Sequence, residues 1–329
     1  MMTISSVHLR RSMLRKFLPG AATLSALMLA ASATLAAPFA YVANEKPGTI
    51  SVIDTATDTV VSTIKAGTKP RGSAFSGDGK TLYVSDQPSN SLLVIDVAKR
   101  EVTGKIQLDE SPEGVAVSPD GKIIAVASEI GNSATFIATD TNKKLFTVKT
   151  KGKNPEHVVF SPNGKWAYVS AEDADVLDII DVEKREQVDA VKIGERPRGI
   201  GFLPDGSKAY VAAEIASKIY VIDVPNHKVL KVIEGGKFSN GVAISPDGKR
   251  VYISNGKDRT VSVIDTATDE IIATIPVGKR PWNMDVTPNG DKLYVANGRS
   301  NTVSVIDTAT NKEIKQIPVG ELPWGVVIQ

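Results

Sequence analysis

Apolar and polar positions alternate along this chain in short runs, and the runs recur. Between residues 241 and 278 the order reads GVAISPDG, RVYISNG, TVSVIDT and EIIATIPVG. These runs are rich in Val, Ile, Thr and Tyr, and Asp-Gly, Asn-Gly or Thr-Asp pairs punctuate them at hairpin spacing. The pattern predicts four antiparallel strands in about 42 residues. Beyond the first three dozen residues, nothing sustains the spacing of a helix.

The heptapeptide SVIDTAT stands at 51–57, 262–268 and 304–310, identical each time. Aligning on its Asp gives Asp54, Asp96, Asp140, Asp181, Asp223, Asp265 and Asp307, in steps of 41 to 44 residues. Seven four-stranded units of this length predict an all-β, seven-bladed β-propeller. The first unit starts directly at FAYVAN (39–44) and lacks the PxG…SPDG strand that opens the others. The chain ends on PWGVVIQ (323–329), which is that strand. The C-terminal strand is therefore expected to complete the N-terminal blade, closing the ring without capping repeats. Polar residues or Pro stand near the end of each outer strand: Lys65, Gln107, Thr150, Lys192, Glu234, Pro276 and Pro318. Such residues guard unpaired sheet edges.

FAYVAN, KLYVAN, TVSVIDTAT, IPVG and AISPDG resemble the YVTN-type β-propeller repeats of exported bacterial proteins. The resemblance spans residues 37–329 and is specific for fold, not activity. Seven such repeats behind a leader are most similar to the propeller proteins associated with pyrroloquinoline-quinone-dependent alcohol catabolism. That resemblance implies a periplasmic accessory role without a reaction of its own.

Residues 1–36 have the layout of a secretory leader. Arg10, Arg11, Arg15 and Lys16 precede an apolar run from Leu18 to Leu29, and small residues lead to ATLAAP. Cleavage is expected after Ala36, with the remainder in the periplasm. Removing the leader takes the formal charge from +2 to −2, so no bulk positive charge draws nucleic acid or anionic membrane. The absence of Cys excludes disulfides, thiolate metal sites and covalently attached haem. After the leader, His157 and His227 are the only histidines, too few for His-rich zinc sites, haem pairs or iron triads. No GxSxG elbow or phosphate loop occurs. No cofactor or metal is expected, and a monomer is.

Chemistry is read from where the repeats disagree. Strand direction puts the PxG loops and the loops after YVAN on one face, and the uniform SPDG and DTATD turns on the other. Around the ring the x of PxG reads Trp324, Arg71, Glu113, Glu156, Arg198, Asn240 and Trp282. Gly follows on five blades, but His157 and Asn283 replace it on two that face each other across the channel mouth. The carboxylates near His157 are expected to favour its charged form. Asp285 falls among small apolar equivalents; it is expected to staple its loop to the neighbouring blade, the alternative being a channel site with Asn283.

These departures define a candidate surface for a periplasmic protein or small molecule: Arg71, Glu113, Glu156, His157, Arg198, Asn240, Trp282, Asn283 and Trp324. One alternative is a lactone hydrolase using Glu113, Glu156 and His157. Another is single-stranded nucleic acid on Arg71, Arg198, Arg280, Trp282 and Trp324. The acidic loop SAEDADVLD (170–178) offers Glu172, Asp173 and Asp175 but lacks calcium-loop spacing, so it reads as solvated.

Overall fold

The computed structural model describes residues 38–329; the leader and its cleavage point lie outside them. Seven four-stranded antiparallel sheets form the blades of a propeller. Blade 1 comprises Phe39–Asn44, Thr49–Asp54 and Thr59–Lys65, with Pro323–Ile328 as its innermost strand. There Ala40 pairs with Ile328 and Val42 with Val326, so the first and last described strands close the ring. Blades 2 to 7 occupy 70–107, 112–149, 155–192, 197–234, 239–276 and 281–318, running from inner to outer strand.

The alternating runs bury their apolar side chains between adjacent sheets. At the seam, Ala40, Val42 and Ile53 of blade 1 pack with Tyr294, Ala296, Val303 and Val305 of blade 7. Full burial of a Val or Ile side chain contributes roughly 1.5–3 kcal/mol, so the closing seam is held like any other blade contact. Outer strands alternate less strictly and leave Val61, Leu230, Ile272 and Ile314 exposed.

The repeated SVIDTAT is scaffold, and most of its residues have a local task. Ser51, Ser262 and Ser304 accept hydrogen bonds from the YVAN-type Asn44, Asn255 and Asn297 at 3.0, 2.9 and 2.8 Å. The Val and Ile are buried. Asp54 caps the following turn by accepting the Ala56 N–H at 2.7 Å, and Thr55 donates to the Pro38 carbonyl at 2.6 Å. One turn later, Asp58 and Asp269 each take a Lys and a Tyr from the preceding blade. Lys292 reaches Asp58 and Lys208 reaches Asp269, at 2.8 and 2.7 Å, and Tyr294 and Tyr210 donate to the same carboxylates. The phrase recurs because turn closure and blade docking recur.

At the axis the inner strands approach closely. A Cβ added at Gly199 would stand 2.5 Å from the Asn240 carbonyl oxygen, which is why glycine holds this slot on most blades. Two single 3-10 turns interrupt the strand pattern, Gln87–Ser89 and Glu172–Ala174. Both lie on the varied face, and each starts with a residue of the site.

Candidate functional site

On the varied face the channel mouth widens into a funnel of about 290 Å³. Two rings of side chains build it. One is the x of PxG; the other is the residue directly after each second strand, which reads Glu45, Gln87, Glu129, Glu172, Glu214, Gly256 and Gly298 from blade 1 to blade 7. Arg71, Glu113 and Arg198 each reach the second-ring residue of the preceding blade, Glu45, Gln87 and Glu172, so the two rings mesh there.

Blades 1 to 5 form a charged belt. Arg71 Nε donates to Glu45 at 2.9 Å, and its Nη1 to Glu113. Arg198 Nη1 donates to Glu156, and its Nε to Glu214 at 3.1 Å. Arg196 Nε reaches Glu172 at 3.0 Å. Arg280 stretches from blade 7 past blade 6 to Glu214, with its guanidinium 5.3 Å from the Phe238 ring. Four guanidiniums thus meet five carboxylates, Glu45, Glu113, Glu156, Glu172 and Glu214, while Glu129 accepts from Ser111 and Gln87.

Burial, together with the neighbouring charges, sets how the carboxyls ionise. Burial, reinforced by the charge of Glu156, pushes Glu113 well above the carboxylate range. Burial and Glu156 likewise push Glu172 up to about 7, against the pull of Arg198 and Arg196. Burial also works on Glu156, but Arg198 above all, then His157 and Arg71, hold it down at about 2. Burial opposes the charges of Arg71 and Arg198 too; Glu113 and Glu156 respectively outweigh it and keep both guanidiniums charged. Oxygens of Glu129, Glu156 and Glu172 lie within 4.8 Å of one another.

The opposite wall belongs to Asn240, Trp282, Asn283 and Trp324. Here the glycines of the second ring make room. A Cβ at Gly298 would meet the Trp282 indole at 2.5 Å, and one at Gly256 would meet Arg280 at 3.0 Å.

Below the funnel, a bar crosses the axis. His157 Nε2 and Asn283 Oδ1 are 3.2 Å apart, and the imidazole stacks on Trp324 with centroids 5.5 Å apart and planes 14° from parallel. The bar separates the funnel from a lumen of about 350 Å³ lined by Val115, Val159, Val242 and Met284. Asp285 edges that lumen and performs its staple: Oδ2 accepts the Ile328 N–H of blade 1 at 2.9 Å, and Oδ1 accepts its neighbour Val286 N–H at 2.9 Å.

Of the nine residues singled out in the sequence, Arg71, Glu156, Arg198, Asn240, Trp282, Asn283 and Trp324 line the funnel together. Glu113 does not. It is fully buried behind Arg71, tied to that guanidinium and to Gln87 at 2.6 Å. His157 lies in the bar, and the expectation of a charged imidazole is corrected: burial pushes its pKa below the ordinary value despite Glu156. Of the trio named for a hydrolase, only Glu156 lines the funnel; Glu113 lies behind Arg71 and His157 faces the lumen below. Trp324 is only 8% exposed because His157 covers one ring face. The rim arginines of the nucleic-acid alternative are spent on glutamates, leaving little net positive charge for phosphates.

Sequence reasoning missed Glu45, Gln87, Glu129, Glu214 and Arg196. The acidic loop was expected to be solvated, and Glu172 corrects this: it is buried and lines the funnel. Asp173 accepts from Asn154, and Asp175, at φ 55°, accepts the Arg196 N–H at 3.1 Å. The available signal was the second ring itself, carboxylates or Gln on five blades and Gly on the two beside Arg280 and Trp282.

Two family models match, each on less than half of the chain. The model described as "Lactonase, 7-bladed beta-propeller" matches residues 178–317. That described as "SMP-30/Gluconolactonase/LRE-like region" matches residues 36–173. The chain resembles lactonase-type propellers. No curated protein matches it in sequence. Among solved structures, a chain of Kuenenia stuttgartiensis hydrazine synthase superposes with a TM-score of 0.73 at 23% identity, covering 84% of this chain and 97% of that one. A functionally unknown protein from Desulfotomaculum acetoxidans superposes with a TM-score of 0.78 at 19% identity, covering 88% and 98%. At such identities the likeness concerns the fold.

Proposed function

We propose that this is a non-catalytic binding protein whose axial funnel captures a small polar molecule. It would act in the periplasm as an accessory of quinone-dependent alcohol catabolism. The leader layout and the YVTN resemblance support the location and setting. The observation that carries the binding reading is the two-sided funnel: Trp282 and Trp324 on one wall, and a belt of mutually paired Arg and Glu on the other. An apolar face opposite fixed, oriented polar groups is what a small-molecule site requires. Ion pairing holds the belt rigid before any ligand arrives, which lowers the ordering cost of binding.

Equilibrium dialysis of the leaderless protein against a periplasmic small-molecule extract tests this reading. Retention of a metabolite is expected, falling about 10-fold or more in Trp282→Ala, a loss of about 1.4 kcal/mol. Asp247→Ala, on the opposite face, should retain it fully. Equal retention by wild type and both variants would contradict the reading.

A second reading, lactone hydrolysis, draws on the lactonase-type matches and on Glu172. A carboxyl with its pKa near 7 at the funnel wall is poised to accept a proton from water. A pH-stat assay with δ-gluconolactone separates the two readings. Turnover above background that is lost in Glu172→Gln would favour the enzyme.

A further inference from the structure

We propose that the funnel takes a small uncharged carboxamide, which pairs with the side chain of Asn240 and accepts an indole N–H from Trp282 or Trp324. This rests on the binding reading above and narrows it to a ligand class.

Asn240 supplies the first observation. It is 3% exposed and lines the funnel, yet its side-chain amide meets no hydrogen-bond partner among the described residues. Neither Oδ1 nor Nδ2 is sealed off by protein, so both ends of the amide open on the funnel. Its place in the ring leaves it unpaired. Arg71 and Arg198 reach the second-ring residue of the preceding blade, but for Asn240 that residue is Glu214, which Arg198 and Arg280 already hold. Buried amides are ordinarily paired, and an unpaired one costs stability. Turning the amide over changes nothing, because both ends are free.

The indoles supply the second. Trp282 and Trp324 follow Asn240 in the same slot on the next two blades around the ring. Trp282 packs against Gly298, and His157 stacks on Trp324. Both rings are thereby held in place. Neither indole N–H donates a hydrogen bond within the described residues, and neither is sealed off. One wall thus presents N–H donors from three consecutive blades, with the Asn240 side-chain carbonyl as an acceptor among them.

Charge balance is the third. Each funnel guanidinium already has a carboxylate partner. Lys69 stands 4.0 Å from Glu45. With it, the four guanidiniums balance Glu45, Glu129, Glu156, Glu172 and Glu214, and Glu113 keeps its proton. A charged ligand would upset that balance; an uncharged one would not. A carboxamide sets a carbonyl acceptor beside an N–H donor, at the spacing of the Asn240 amide itself. It satisfies both ends of Asn240 at once and offers its second lone pair to an indole N–H. An ester has the acceptor without the donor, and a carboxylate adds a charge.

The test is calorimetric titration of the leaderless protein with benzamide, methyl benzoate, benzoate and benzylamine, which share one ring. Benzamide should bind about 10-fold or more tighter than each of the others, because a site built around hydrogen bonds rejects analogues that lack them. Asn240→Leu, of similar size, should lower benzamide affinity by about 10-fold or more. Its melting temperature should not fall, since no hydrogen bond within the protein is lost. Asn240→Asp, which keeps the shape but not the N–H donors, should weaken benzamide binding as well. Equal affinity for benzamide and methyl benzoate, or full benzamide binding by both variants, overturns the inference. So does a melting temperature lowered in both variants, which would give the amide a structural task. Tighter binding of benzoate or benzylamine would make the funnel an ion site and overturns it too. If extract metabolites bind through Trp282 while benzamide does not bind, the amide inference falls and the funnel stands. If neither binds, both fall.

Discussion

At the residue scale, the side chains that break the sevenfold pattern divide into those that face the ligand and those that hold the ring. Asp285 belongs to the second group. Its carboxyl pKa is pushed up to about 6 by burial, although two backbone N–H groups bind it. The folded state therefore holds a proton that the unfolded chain has already released between about pH 4 and 6. Stability from this residue is greatest below pH 4 and declines as pH rises through that window, by up to about 3 kcal/mol. Asp285→Asn keeps the acceptor for Ile328, so urea melts of wild type and variant should converge or cross as pH rises from 4 to 6.5. Parallel curves would mean that Asp285 does not titrate in that window. Asp285 could be read as a staple from sequence because every equivalent position is small and apolar. The hydrogen bonding of His157 to Asn283 could not, because it depends on the channel diameter.

At the element scale, strand count, order and closure were legible because period and end effects record them directly. The missing first strand at residue 39 and the surplus strand at 323–328 are two halves of one blade. Deleting residues 323–329 removes the partner of Phe39–Asn44 together with Trp324 and Val326. It exposes Ala40 and Val42 on a new edge. Such a loss exceeds the reserve of a domain stable by about 5–15 kcal/mol, so the truncated chain should aggregate or unfold without cooperativity. Near-native cooperative melting would contradict closure by this strand. The second ring of the funnel was less legible. Its carboxylates follow strands whose ends vary between Asn, Ser and Ala, and a Glu after a strand is ordinarily a solvated loop residue. What makes Glu129 and Glu172 part of a site is their convergence from neighbouring blades, which no local pattern encodes.

At the scale of the whole molecule, the two faces have different work. One repeats the same turns, in which Ser–Asp–Gly and Asp–Thr contacts recur with little change. The other carries most of the sevenfold disagreement, gathered around one funnel above a barred channel. Three tryptophans report on the two faces separately. Trp282 and Trp324 line the funnel, and Trp166, edge-on to His227 at 4.8 Å, begins the strand after a uniform-face turn. Protein labelled with 5-fluorotryptophan should give three ¹⁹F resonances, assigned by single Trp→Phe substitutions. On adding the periplasmic small-molecule extract, the Trp282 resonance should move most and that of Trp324 less, with Trp166 fixed. A shift confined to Trp166, or none at any of the three, would contradict a ligand site in the axial funnel.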